Sequence, residues 1–192
     1  MLKSYWQNYY KKDNGITAPS DFAVFCYENF ISKEPNGELI DVGCGNLRDT
    51  EYFLNNDISV ISIDQTYCPQ QRIISKRFIH MKASVDILPL LKFKHCYMRW
   101  LLHSLDIHEQ RELFSWLRKN SPPGNKIYIE CRSNKDKLID DSSHTRRLID
   151  SEQLIRLVCT NGFKIAYMEE GRNFSKIQED NPLLIRLVGI RV

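Results

Sequence analysis

The sequence predicts an α/β fold: a three-layer sandwich built on one mostly parallel, seven-stranded sheet, with helices on both faces. Three observations carry this. Short apolar runs alternate with segments of helical periodicity along the chain. The first apolar run closes on Gly43-Cys44-Gly45, directly before a polar helix start. The last two apolar runs are joined only by "GRNFSKIQEDNP". Strand, helix, strand in repeated order builds a parallel sheet with helical crossovers. A connection too short for a helical crossover reverses direction, so the last strand is expected to run antiparallel.

The strand candidates are "ELIDVG" (38–43), "SVISID" (59–64), "RFIHM" (77–81), "KHCYMRW" (94–100), "KIYIECR" (126–132), "FKIAYMEEG" (163–171) and "LLIRLVGIRV" (183–192). The fifth follows "PPGN", a strong turn signal. The helix candidates are "SDFAVFCYENFIS" (20–32), "RDTEYFLNN" (48–56), "DIHEQRELFSWLRKN" (106–120) and "DSEQLIRLVCTNG" (150–162). Ser20 or Asp21 caps the first, and Asp106 the third. In the fourth, Ser151 reads as the cap, with Leu154 where a capping box wants an acid, and Asn161-Gly162 ends the helix.

A chain of 192 residues suits one domain over 1–192, with 1–19 set apart as an N-terminal aromatic segment. In that segment Trp6, Tyr9 and Tyr10 fall on one helical face, with Tyr5 beside them; they form a lid over a ligand or cover a sheet edge. Composition is that of an ordinary globular protein, 42% hydrophobic and 27% charged. A net charge of +3 is nearly balanced and argues against a nucleic-acid partner. The N-terminus lacks the continuous apolar core of a signal peptide, and no apolar run is long enough for a membrane span. The six cysteines include no CxxC pair, so they read as reduced thiols in a cytoplasmic protein. The histidines are not at ligand spacing, so no metal is expected.

Three chemistries compete for the glycines at 43 and 45. A P-loop needs a lysine that this chain lacks. A dinucleotide fingerprint needs a third glycine where Arg48 stands, and arginine blocks the close helix packing that glycine allows. The third candidate binds the sulfonium cofactor S-adenosylmethionine (SAM). Glycines let a ligand approach the backbone without a Cβ clash. Asp64, ending the second strand nineteen positions after Gly45, can accept from both hydroxyls of a ribose. That feature serves a nicotinamide dinucleotide equally well. A lone Gly-x-Gly after a strand also serves as a plain tight turn.

With Asp41, Gly43 and Gly45 in place, the stretch resembles motif I of class I SAM-dependent methyltransferases, an acidic residue followed by x-G-x-G-x-G. Leu47 replaces the third glycine, at a helix-opening position where glycine is useful but not stereochemically required. "GCGNLRDT" is also similar to a variant in small methyltransferases that carry Asn-x-Arg-Asp after the glycines. The resemblance runs from about residue 20 to the end and is strongest in motif I. It implies a Rossmann-like fold and SAM as cofactor. Asp41 is then expected to face the charged amino group of the methionine moiety, with Gly43, Cys44, Gly45 and Arg48 around it. Asp64 and Gln65 take the ribose. Asp86 reads the adenine, and Val85 or Ile87 packs on its ring.

In such sheets the ligand crevice lies at the carboxyl ends of the strands. The fourth strand presents Arg99, Trp100 and His103 there, and the fifth Glu130 and Arg132; beyond them lie His144, Arg146 and Arg147. Arg99 and Arg132 either pair with Glu130, Asp49 or Asp141 or hold an anionic acceptor bidentately. Arg146 and Arg147 join them as substrate-binding candidates. A sugar hydroxyl is too weakly acidic to attack unaided, so His144 and His103 are the candidate bases. "ECRSNKD…HTRRLID" followed by "NPLLIRLVGIRV" resembles small methyltransferases of capsule, lipopolysaccharide and other glycan modification. Their loop reads Asp-Gly-His-Tyr-Arg-Arg-Phe-Ile, and this chain has Thr145 and Leu148 for the aromatics. The resemblance implies O-methylation of a sugar, glycan-linked or other small-molecule acceptor. The alternatives are N- or S-methylation of a small metabolite, a non-catalytic SAM-binding protein, and an NAD-dependent oxidoreductase.

Overall fold

In the computed structural model, residues 17–66, 73, 75–136, 147–175 and 181–192 are described. They form one seven-stranded sheet of order β3-β2-β1-β4-β5-β7-β6. Its strands are β1 (Glu38–Val42), β2 (Ser59–Asp64), β3 (Phe78–Lys82), β4 (His95–Arg99), β5 (Lys126–Arg132), β6 (Phe163–Gly171) and β7 (Leu184–Arg191). The pairs β1–β2, β1–β4, β2–β3 and β4–β5 are parallel. Strand β7 slots between β5 and β6 and is antiparallel to both, as the short polar connection requires. The boundaries of β2, β5 and β6 coincide with the apolar runs read from the sequence.

Alternate side chains along each strand feed two cores. On one face Leu39, Val60, Tyr97 and Tyr128 pack against α1 (Asp21–Asn29) and α2 (Arg48–Asn55) through Phe22, Cys26 and Phe53. On the other, Ile40, Ile61, Met98 and Ile129 pack against α3 (Ile107–Asn120) and α4 (Ser151–Thr160) through Leu113, Phe114, Leu154 and Val158. The expected sandwich is therefore present, with two of these helices on each face. Among the described residues no helix is long and apolar enough to cross a membrane.

Caps set the helix starts. Ser20 caps α1, its hydroxyl accepting from the Ala23 N–H at 3.1 Å. Asp106 opens α3 with a full capping box, Glu109 reaching back to the Asp106 amide at 2.8 Å. Helix α4 is capped by Asp150, which accepts from the Gln153 N–H at 2.9 Å, one residue before the cap expected from sequence. The carboxylate of Asp150 reaches the Gln153 amide directly, so the cap does not depend on an acid at 154. Asp106→Ala is expected to lower stability by about 1 kcal/mol in urea unfolding, since it orphans the first N–H groups of α3.

Candidate functional site

Because β1, β2, β4 and β5 are parallel, their carboxyl ends share one edge of the sheet. The turn after β1 sits at its centre. The amides of Gly43 and Cys44 both donate to the Ile63 carbonyl of β2, at 2.8 and 3.3 Å. Gly43 has φ +79°, and a Cβ there would lie 3.1 Å from Leu101 Cδ1 in the segment after β4. Gly45, at φ +54°, donates its N–H to Asp64 Oδ2 at 3.0 Å. At the position of the missing third glycine the backbone shows why glycine is useful there and not required. Leu47 has φ +67°, a left-handed conformation that glycine adopts freely and that costs other residues roughly 1–2 kcal/mol. Its side chain is buried with Cys44 against Ile73 and Phe78, and that burial offsets the strain.

Three buried carboxylates ring this turn. Asp41, at the end of β1, accepts from the Thr50 hydroxyl at 2.6 Å, and Thr50 is bonded in turn to Ser62 Oγ at 2.7 Å. Burial lifts the Asp41 pKa to about 8; the Thr50 bond opposes this, while the neighbouring charges of Asp49 and Asp64 add to it. Asp49, in the first turn of α2, accepts from the Ser20 amide (2.7 Å), the Ser20 hydroxyl (2.8 Å) and the Tyr97 hydroxyl (2.9 Å), tying α1 to the site. Asp64 accepts from the Thr66 amide and hydroxyl at 2.8 and 2.7 Å on its other oxygen. His80 of β3 lies 3.9 Å from Cys44 Sγ, and burial pushes its pKa down.

A second cluster occupies the ends of β4 and β5. Arg99, Glu130 and Arg186 are register partners on three adjacent strands. Glu130 is fully buried and engages on both oxygens. Oε1 accepts from Arg99 Nε at 3.1 Å and from the Trp100 indole N–H at 2.9 Å, and Oε2 accepts from Arg186 Nε at 2.8 Å. Trp100 has φ +58°, unfavourable for a bulky side chain. The guanidiniums of Arg99 and Arg132 lie 4.9 and 5.2 Å from its ring centroid. Cation–π attraction and the Glu130 bond hold the strained residue.

The remaining expected site residues fall as follows. His103 is buried, and its Nδ1 accepts from the Arg132 N–H at 3.2 Å. With Nδ1 accepting there, a neutral ring carries its proton on Nε2, and His103 helps fasten the end of β5. Arg48 is largely buried beside Asp49, 3.9 Å from its carboxylate, and Gln65 follows Asp64 half-buried. Asp86 is exposed; Val85 turns into the core, leaving Ile87, 67% exposed, as the apolar side chain on the surface there. Arg147 diverges from Arg99 and Arg132: its guanidinium donates to Gln110 Oε1 at 3.1 Å on the α3 side. His144, Arg146 and the aromatic segment at 1–16 lie outside the described residues.

No protein-family model matches the sequence, and no curated protein does. Solved structures do match. The Burkholderia thailandensis 1,6-didemethyltoxoflavin-N1-methyltransferase, with S-adenosylhomocysteine bound, aligns over 100% of this chain and 87% of its own, with TM-score 0.78 at 13% identity. The fold is that of the SAM-dependent methyltransferases. The glycopeptide N-methyltransferase MtfA, complexed with S-adenosylhomocysteine, covers 90% of each chain with TM-score 0.70 at 13% identity. Magnesium protoporphyrin IX methyltransferase (ChlM) from Synechocystis PCC 6803 covers 89% of this chain and 80% of its own, with TM-score 0.66 at 14% identity.

Within this methyltransferase fold, several contributors to the site escaped the sequence reading. Thr50, Ser62, Thr66, His80 and Tyr97 carry no signal above their neighbours. Arg186 did carry one: a lone arginine inside the apolar run "LLIRLVGIRV" needs a buried acid across the sheet, and Glu130 is that acid.

Proposed function

We propose that the chain is a SAM-dependent methyltransferase acting on a small-molecule acceptor, and that the acceptor is a sugar or glycan-linked molecule methylated on oxygen. The observation that carries the cofactor assignment is the Gly43–Gly45 turn ringed by Asp41, Asp49 and Asp64. Carboxylates suit a ligand with a sulfonium and an ammonium and disfavour a pyrophosphate, and Asp41, protonated at neutral pH in the free chain, can ionise toward a cation. Asp41 has one oxygen bonded to Thr50, and its other has no protein donor among the described residues.

When bound, SAM supplies an activated methyl group. The chain's own residues do the rest. Asp41 meets the ammonium, Asp64 takes the ribose hydroxyls with its remaining lone pairs, and Gly43 and Gly45 keep the turn low. Arg99, Trp100 and Arg132 form the wall against which an acceptor is oriented, within about 3–3.5 Å of the transferred carbon in a productive pose. His144 is the base for a hydroxyl acceptor in this reading.

Nitrogen methylation is the second reading. Two structural neighbours are N-methyltransferases by description. His103 accepts through Nδ1 from β5, and a neutral amine attacks without first losing a proton, so it needs no base in the attacking step. Calorimetry with SAM, S-adenosylhomocysteine and NAD tests the cofactor: SAM and its product are expected to bind, and binding of NAD alone overturns the proposal. Asp64→Ala is expected to weaken SAM binding about tenfold or more through loss of charge-assisted bonds. Mass spectrometry of products from sugar and amine acceptor panels separates the two readings, and SAM binding with no product from any acceptor points to a non-catalytic role.

A further inference from the structure

We propose that the cleft between α3 and α4 is a binding site for a small anionic amphiphile, a carboxylate or phosphate carried on an apolar stem. The cleft has a volume of about 230 Å³, room for about eight water molecules. Its floor is apolar, built from Leu102, Leu148, Leu154 and Leu157. Its polar lining includes three arginines, Arg111, Arg147 and Arg156, against one acid, Asp150.

The acid is already committed. Asp150 Oδ1 caps α4 through the Gln153 N–H at 2.9 Å, and Oδ2 accepts from Asn134 Nδ2 at 3.1 Å. Arg156 meets Glu152 only at 3.8 Å on an exposed surface, a contact that solvent screens. Arg147 is half-buried, and the bonds it makes among the described residues are to neutral groups: its amide to the His103 carbonyl at 2.9 Å and its guanidinium to Gln110 Oε1 at 3.1 Å.

That guanidinium is also held in place. Gln110 is buried, and its amide nitrogen donates to the Leu102 and Leu105 carbonyls at 2.9 and 3.3 Å. Its oxygen is therefore fixed, and Arg147 is pinned by one N–H, with the rest of its fork unbonded among the described residues. A guanidinium fork matches the two oxygens of a carboxylate or phosphate. The cleft is smaller than a drug-sized pocket, so charge selects the head group and the leucine floor takes a short stem. The wall is anchored to β5, since the Ile149 amide donates to the Arg132 carbonyl at 3.0 Å and the Asn134 amide to the Ile149 carbonyl at 2.9 Å.

The test titrates the full chain with hexanoate, hexyl phosphate, hexanol and inorganic phosphate, followed by amide shifts in ¹H–¹⁵N spectra. Shifts at Leu102, Gln110 and Leu154, with the Gly43 and Gly45 amides unmoved, are expected with the amphiphilic anions. Response to hexyl phosphate alone assigns a phosphate head group, response to hexanoate alone a carboxylate, and either supports the site. Arg147→Gln and the exposed Arg111→Gln are each expected to weaken binding roughly tenfold. Hexanol binding as tightly as the anions, inorganic phosphate binding as tightly as hexyl phosphate, or both variants binding within twofold of the parent overturns the proposal. None of these readouts depends on SAM, so the methyltransferase reading and this one fail separately.

Discussion

Asp41→Asn is expected to raise stability at neutral pH while weakening SAM binding. The Asp41 pKa stands at about 8 in the folded chain, raised by burial from the ordinary carboxylate range. The unfolded chain releases that proton near pH 4. Between these two values the folded state holds a proton that the unfolded state does not. Stability contributed by the group is thus fully present below about pH 4 and declines as pH rises through about 8, at up to about 1.4 kcal/mol per unit. Asparagine keeps an oxygen for the Thr50 hydroxyl and has no proton to lose. The expected gain at pH 7 is roughly 2–4 kcal/mol, shrinking to about 1 kcal/mol at pH 5. Urea unfolding at both pH values checks this, and an equal gain at both refutes it. A cationic ligand prefers the ionised carboxylate, so SAM binding to the parent at pH 7 is expected to release close to one proton. Calorimetry in buffers of different ionisation heat measures that release, and Asp41→Asn is expected to abolish it.

Glu130→Ala is expected to be the most destabilising single change in the sheet. Glu130 accepts from Arg99, Trp100 and Arg186 at once, in a position with no exposure. Removing it leaves buried guanidiniums facing one another across β4, β5 and β7. Breaking a buried pair in this way costs about 3–5 kcal/mol. The double variant Glu130→Leu with Arg186→Met is expected to cost less than the two single changes summed, by about 1–3 kcal/mol, because the second change removes a stranded charge. Guanidinium unfolding of the four proteins closes the cycle; strict additivity would show that the row of charges is not coupled. Glu130→Gln keeps an acceptor for the indole, and the Trp100 indole N–H signal reports whether the strained ring stays in place.

The strands were legible because nearly all of them are apolar runs closed by turn residues, and β2, β5 and β6 were delimited to the residue. The direction of β7 followed from the shortness of its connection. Its position between β5 and β6 did not, since hairpin length fixes direction but not which neighbour lies beyond. In the site, Asp41, Gly43, Gly45 and Asp64 were legible as a spacing. The cluster at Trp100 was legible only as a list of charges. Which arginine faces which acid depends on register across three strands, and sequence distance says nothing of that: Arg99 and Glu130 are 31 residues apart, Glu130 and Arg186 are 56 apart. Arg147 shows the same limit at short range. Its backbone lies next to His103, yet its side chain leaves for Gln110.

Leu47 gives the Gly43–Gly45 turn an unusual mechanical character. Where a glycine would make this corner a natural hinge, an anchored leucine makes it a latch. Swinging the turn open means dragging that side chain into water, at about 1.5–3 kcal/mol. The turn after β1 is thereby a fixed corner, held by the same side chain whose backbone it strains.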